Sequence, residues 1–372
     1  MQTSKKPPFR ADHVGSLLRP AALREARTAF KAGALSAEQL RSAEDQHIAA
    51  AIQKQQSIGL KSITDGEMRR DWWHLDFLAG LDGIKLRESQ AMNFKAEEEI
   101  PPTAYVSGQI RLTKPNMVGH FEFLKARVSG QQGQFAKFTI PSPAMAHLRS
   151  GSKDVPAAIY PDKEQYWEDL GAAYRQAIAD LYAAGCRYLQ IDDVTFSYIA
   201  DPKVQSMIRA NGDDPDTLHK TYAHAVNLAV RGRPADMTLT MHTCRGNFKS
   251  TWVSESPYEA AIMQSMFTTQ VDAWFMEFDS ERAGSFDVLR LLPPNKQVVL
   301  GLVTTKVGEL ESRDTLLRRI DLAAKVVPLE RLALSPQCGF SSTHHGNKLS
   351  EDDQWRKLEF IVGIAREVWG DA

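Results

Sequence analysis

Cysteine is scarce in this chain: Cys186, Cys244 and Cys338 are the only three among 372 residues. So few thiols in so long a sequence exclude a disulfide-built scaffold and fit a reducing compartment, the cytoplasm. Neither sign of charge is in excess. Lys and Arg number 45 against 46 Asp and Glu, a formal net charge of −1, which argues against a nucleic-acid or membrane-surface footprint. No apolar run reaches the length of a bilayer span. The opening MQTSKKPPFR has two lysines but lacks the apolar stretch of a secretory signal. Internal repeats and low-complexity linkers are missing too. No GxGxxG follows the first expected strand, which removes the main support for a dinucleotide-binding sheet.

What the chain does have is alternation, with 43% hydrophobic residues to build a core. Short β-type runs at residues 10–15, 60–64, 135–140, 187–191, 237–241, 273–276, 297–303 and 331–334 are separated mostly by helical patterns. The clearest helix covers 161–184. There Tyr166, Leu170, Tyr174, Ile178 and Leu181 recur three or four apart and make one buried stripe. Ser36 and Gln39 fit a capping box that opens another helix, and Ser350 is placed to cap the last one. Residues 85–135 break the rhythm and read as an insertion after strand two, a β-hairpin with a helical piece at 118–126. The alternation predicts an α/β protein with a parallel sheet, a single (β/α)8 TIM barrel over residues 1–372.

The polar residues fall in a pattern. Ser16, Glu67, Asp192, His242, Cys244, Glu277 and Cys338 each lie at or just past the C-terminal end of an expected strand. In a barrel these ends share the face where active sites are built. Alternate residues of a strand point the same way, so His242 and Cys244 aim together. Two thiolates, an imidazole and the Glu277 carboxylate suit tetrahedral Zn²⁺, the carboxylate being the most readily displaced. Spacing alone leaves blander readings open: a satisfied histidine, buried cysteines, a solvated acid at Glu67, and a capping role for Asp192 or Asp193. Cys186 reads as a small buried hydrophobe.

Six motifs occur in order: HVGS at 13–16, TDGE at 64–67, QIDD at 190–193, MHTC at 241–244, MEFDS at 276–280 and SPQCGF at 335–340. Together they resemble the catalytic barrel of cobalamin-independent methionine synthases, specifically the short, stand-alone members. The resemblance runs from about Arg10 to Gly370. It implies a catalytic Zn²⁺ held by His242, Cys244, Glu277 and Cys338. It also implies that homocysteine binds with its amino group on Glu67 and Asp192 and its carboxylate around Val14, Gly15 and Ser16. The reaction implied is methyl transfer to that thiol, giving methionine. The donor would be 5-methyltetrahydrofolate, its polyglutamate, or a methyl-donor protein. Zinc would remove the thiol proton, which at an ordinary pKa near 8.5 is mostly retained at neutral pH.

The match departs from the family in one place. The long members, which carry a second N-terminal barrel, have a histidine after strand seven that protonates the folate leaving group. Thr304, Thr305 and Lys306 stand there in this chain. The proton would then come from His344, His345 or water, or the donor is not methyl-folate. Epoxyalkane:coenzyme M transferases resemble the same short barrel and give the alternative reading, zinc-dependent alkyl transfer to another thiol. Coenzyme M has a sulfonate and no amino group, so the acids Glu67 and Asp192 favour homocysteine, while Lys306 suits an anionic substrate in either case. A zinc-stabilised, non-catalytic binding protein is the third reading. A displaceable Glu277 at an open barrel mouth argues against it.

Overall fold

The computed structural model describes residues 6–89, 101–128 and 133–372. In chain order the strands are β1 (Ser62–Ile63), β2 (Asp82–Arg87), β3 (Thr103–Arg111), β4 (Phe135–Pro141), β5 (Tyr188–Asp193), β6 (Thr238–Thr243), β7 (Ala273–Glu277), β8 (Gln297–Val303) and β9 (Leu332–Pro336). Among the described residues, seven of them form one curled parallel sheet in the order β1-β4-β5-β6-β7-β8-β9. Strictly sequential, parallel order with helices between strands is the arrangement of a TIM-like barrel. Runs such as QVVLGLV in β8, buried along almost their whole length, belong in a sheet covered on both faces.

The N-terminal segment lies between the two edges of this sheet. Ala11 bridges Leu334 in parallel, with Asp12 N–H donating to the Leu334 carbonyl at 3.0 Å. On the other side Thr64 Oγ1 donates to the Gly15 carbonyl at 2.7 Å. The expected first strand, 10–15, is reduced to the isolated bridge at Ala11, so the described sheet has seven strands where the sequence predicts eight, and the second expected strand is shorter than predicted. At the first, the ladder stops where Asp12 and His13 bury their polar side chains and Gly15 turns to a φ of 141°. At the second, Thr64 N–H leaves the sheet to donate to Gln55 Oε1 at 2.9 Å.

Strands β2 and β3 pair antiparallel in a separate two-stranded sheet; residues 90–100 and 129–132 of the expected excursion lie outside the described residues. The helix Val118–Lys125 is a different matter. It buries Phe121 and Leu124, and the Phe121 ring meets Phe138 of β4 edge-on at 5.9 Å. It therefore lies against the parallel sheet as the crossover before β4. The expected caps form: Ser36 and Gln39 bond reciprocally, as do Ser350 and Asp353. In the helix Lys163–Ala183 the stripe from Tyr166 to Leu181 is buried. No described helix is long and apolar enough to cross a membrane.

A buried polar cluster ties the N-terminal segment to the sheet. The fully buried Lys137 of β4 donates to Asp12 Oδ1 at 3.0 Å, and Tyr188 of β5 donates to Asp12 Oδ2 at 2.8 Å. The ammonium also sits 4.0 Å from the Phe275 ring centre. Burial lowers the Lys137 pKa, against the pull of Asp12, and burial followed by the Lys137 charge lowers His13 to about 4. Removing one partner of such a pair strands a charge in a dry interior. Asp12→Ala should cost about 3–5 kcal/mol, read from the urea midpoint. Asp12→Asn combined with Lys137→Met should recover part of that loss.

Candidate functional site

The C-terminal strand ends converge as a parallel barrel requires. His242 stands beside Asp192 in the β5–β6 register, and Cys338 follows β9 by two residues. The ligand atoms of His242, Cys244 and Cys338 all lie within 4.8 Å of one another. The two sulfurs are 3.2 Å apart. His242 Nδ1 is 3.3 Å from the Phe275 carbonyl, which orients the ring, while its buried Nε2 has no hydrogen-bond partner. An unpartnered imidazole nitrogen facing two thiols fits a metal ion, with the carbonyl fixing the tautomer. The hydrogen bond from Cys244 holds Cys338 well below the ordinary thiol range; His242 and Lys306 add to this against the effect of burial. The same bond, with burial, pushes Cys244 well up. Burial disfavours a charged His242, but the neighbouring Cys338 sulfur and the charges of Asp192 and Glu277 outweigh it and raise its pKa.

Glu277 is fully buried at the end of β7, yet its carboxylate is not within the three-residue group. Its Oε1 is paired with Arg282 at 3.1 Å and with Lys306 at 3.4 Å, and Oε2 accepts from the Arg245 backbone at 3.3 Å. Thr305 caps a different network, donating from N–H to Gln337 Oε1 at 2.6 Å. His344 and His345 pack edge-on near Trp72, their ring centres 5.7 and 6.1 Å from its own.

Two buried acids face the same cavity. Glu67 sits at a φ of 55°, a left-handed conformation that costs a non-glycine residue about 1–3 kcal/mol and collects at functional sites. Its Oε1 accepts from Thr139 at 3.1 Å, and Arg70 lies 3.5 Å from Oε2. Asp192 accepts from Gln190 at 2.7 Å. Burial, then repulsion by Glu67, lifts the Asp192 pKa to about 7, and burial raises Glu67 against the pull of Arg70. Two carboxyls held this way share negative charge poorly until a cation joins them. Asp193 is the capping acid: its Oδ1 accepts from Thr195 N–H at 2.6 Å.

The cavity, about 740 Å³ including its mouth, is lined by Val14, Ser16, Glu67, Asp192, His242, Cys244 and Cys338. Gly15 and Glu277 are not on its wall, although a Cβ at Gly15 would lie 3.4 Å from Glu67 Oε1. The same wall includes Trp72, Trp73, His74, Arg149, Tyr198 and Phe248, which sequence reasoning missed. The WW pair at 72–73, separated from TDGE by four residues, and Arg149 in the loop after the third expected strand, were the available signals.

The family model for the cobalamin-independent synthase catalytic domain matches residues 9–133 and 138–354. The chain belongs to this family. An uncharacterized protein of Bacillus subtilis, YxjH, is 45% identical over 99% of this chain and 97% of its own length. A methionine synthase of Saccharolobus solfataricus is 26% identical over 90% of this chain and 89% of its own. The crystal structure of a putative vitamin-B12 independent methionine synthase from Listeria monocytogenes is 36% identical, with a TM-score of 0.77 and complete coverage of both chains. Membership in the cobalamin-independent synthases supports methyl transfer to homocysteine.

Tight packing holds this cavity in shape. A Cβ at Gly339 would lie 1.9 Å from Ser16 Oγ and 3.1 Å from its Cβ, so glycine alone lets the loop after β9 pass. Gly339→Ala should destabilise the protein by about 1–3 kcal/mol through overpacking, measured by chemical denaturation.

Proposed function

We propose that this protein is a zinc-dependent S-methyltransferase, its site built on a single barrel, that converts homocysteine to methionine, with 5-methyltetrahydrofolate or its polyglutamate as the donor. The observation that carries this reading is one cavity lined both by His242, Cys244 and Cys338 and by the buried acids Glu67 and Asp192. A thiol that also bears an ammonium group satisfies both ends.

Each part of the chain then has a task. His242, Cys244 and Cys338 hold the metal, and Glu277 serves as the displaceable fourth ligand, leaving its ion pairs with Lys306 and Arg282. When bound, Zn²⁺ supplies the positive charge that lets a substrate thiol lose its proton at neutral pH. Glu67 and Asp192 take the ammonium group, whose charge relieves their mutual repulsion. Backbone and hydroxyl groups around Val14, Gly15 and Ser16 take the carboxylate. So oriented, the substrate sulfur lies in line with the donor methyl carbon. The new S–C bond forms as the donor bond to that carbon breaks, and the leaving group keeps the electron pair.

The decisive measurement is X-ray absorption at the zinc edge on Zn²⁺-loaded protein titrated with thiols. Homocysteine should add one Zn–S bond and remove an oxygen ligand. A response to coenzyme M alone would transfer the assignment to another thiol, and no response to any thiol would leave a non-catalytic zinc protein. Cys244→Ser and Cys338→Ser should each lose zinc and thiol methylation together, read by metal analysis and product formation. Full zinc in either variant would remove that residue from the ligand set. Asp192→Asn should weaken homocysteine binding about ten- to hundredfold, the worth of a hydrogen bond to a charged group, with zinc content unchanged. Calorimetric titration reports the affinity.

A further inference from the structure

Among the residues that line the cavity, Arg149 is the one arginine or lysine; the acids Glu67, Asp192 and Asp193 share the same wall. Its Nη1 is buried and without a hydrogen-bond partner. None of the ion pairs of the described residues involves it. Its backbone, by contrast, is pinned: the Arg149 carbonyl accepts from Asn211 Nδ2 at 2.9 Å, in the loop that follows the 3-10 turn Pro143–Ala146. Arg149 as a whole is half-buried, yet a guanidinium nitrogen taken out of water with no acid beside it is costly, and an anion in the cavity completes it.

Its surroundings describe the body of that anion. His74 lines the cavity with both ring nitrogens buried and unpartnered. Burial, then the Arg149 charge, holds this imidazole well below its ordinary pKa, so it is neutral, with one nitrogen to donate and one to accept. The Trp73 ring lies 4.6 Å from His74, tilted, and Trp72, Trp73 and Phe248 supply flat apolar wall. Tyr198 lines the same cavity, and a Cβ at Gly246 would lie 2.5 Å from its hydroxyl, which puts that hydroxyl beside the loop that carries Cys244. The thiol substrate as assigned above uses Val14–Ser16 for its carboxylate and Glu67 and Asp192 for its amine, so it leaves Arg149 free.

We propose that Arg149 recognises the second substrate, the methyl donor, through an anionic group on an otherwise flat or apolar body: a carboxylate, phosphate or sulfonate bound in the guanidinium fork, with His74 as an auxiliary hydrogen-bonding partner. The division of the cavity between two substrates rests on the methyltransferase reading above. The anion site itself does not.

The test is calorimetric binding of three probes, 5-methyltetrahydrofolate, inorganic phosphate and methanesulfonate, to Zn²⁺-loaded wild type, Arg149→Gln and Arg149→Lys, with homocysteine titrated separately. Wild type should bind at least one probe. Arg149→Gln should weaken that binding about ten- to hundredfold, and Arg149→Lys, which keeps the charge but loses the fork, should retain part of it. Homocysteine affinity should be the same in all three proteins. Which probe binds tells a carboxylate-bearing donor from a phosphate or sulfonate one. Should Arg149→Gln fail to fold, the Lys variant still reads the loss of the fork. Wild-type affinity for the probes in the variants, or no probe binding to wild type, overturns the proposal. Loss of homocysteine binding in Arg149→Gln with the probes unaffected also overturns it, because Arg149 would then hold the thiol's carboxylate. If homocysteine binds none of the proteins while the anions still require Arg149, the methyltransferase reading falls and the anion site stands.

Discussion

The buried pair of Asp12 and Lys137 is the constraint on which the site depends. Lys137 belongs to β4 and Tyr188 to β5, and both bind the same Asp12 carboxylate. Among the described residues, that carboxylate belongs to a segment with one backbone bridge to the sheet, at Ala11. Few ladder bonds hold the N-terminal segment, so side chains must place it. Once Asp12 is fixed, the next residues, Val14 and Ser16, arrive at the cavity wall. A buried ion pair adds little net stability compared with apolar packing, yet it tolerates only one arrangement of its partners. Here that arrangement joins the chain's first segment to the middle of the sheet.

The cavity beside this cluster gathers unlike groups. Glu67 and Asp192 are acids whose ionisation burial resists. His242 brings an imidazole close to the two sulfurs of Cys244 and Cys338. The guanidinium of Arg149 lines the same cavity. Each group is poorly satisfied by the protein itself, and each calls for a different complement: an ammonium, a metal cation, an anion. Local strain at Glu67 and the close packing of Gly339 on Ser16 show the backbone serving the same cavity. Sites of this kind are stable only because the surrounding fold over-determines them.

Much of this was legible beforehand because side-chain periodicity and strand ends are local properties. The β8 run QVVLGLV, the stripe from Tyr166 to Leu181, the Ser36–Gln39 capping box and the Ser350 cap needed no knowledge of distant residues. His242 and Cys244 could be paired from strand spacing alone. The helix Val118–Lys125 was assigned to an excursion because its role as a crossover depends on Phe121 meeting Phe138 of the next strand, a contact invisible to periodicity. The first two strands were drawn too long for a related reason. Their apolar residues suit strands, but Gln55, from a neighbouring helix, takes the hydrogen bond that would have extended the second ladder.

By itself, then, the sequence determined the alternating α/β architecture, the family to which the chain belongs, and the set of polar residues carried at strand ends. These follow from patterning and motif order, which are written along the chain. Only the tertiary structure decided that Cys338 comes to Cys244 across 94 positions, that Asp193 caps the turn at Thr195 while Asp192 does not, and that Glu277 pairs with Lys306 and Arg282. It alone revealed the unpaired guanidinium of Arg149. Distances between strands, and the question of which buried charge lacks a partner, are set by how the sheet curls. No single stretch of residues contains them.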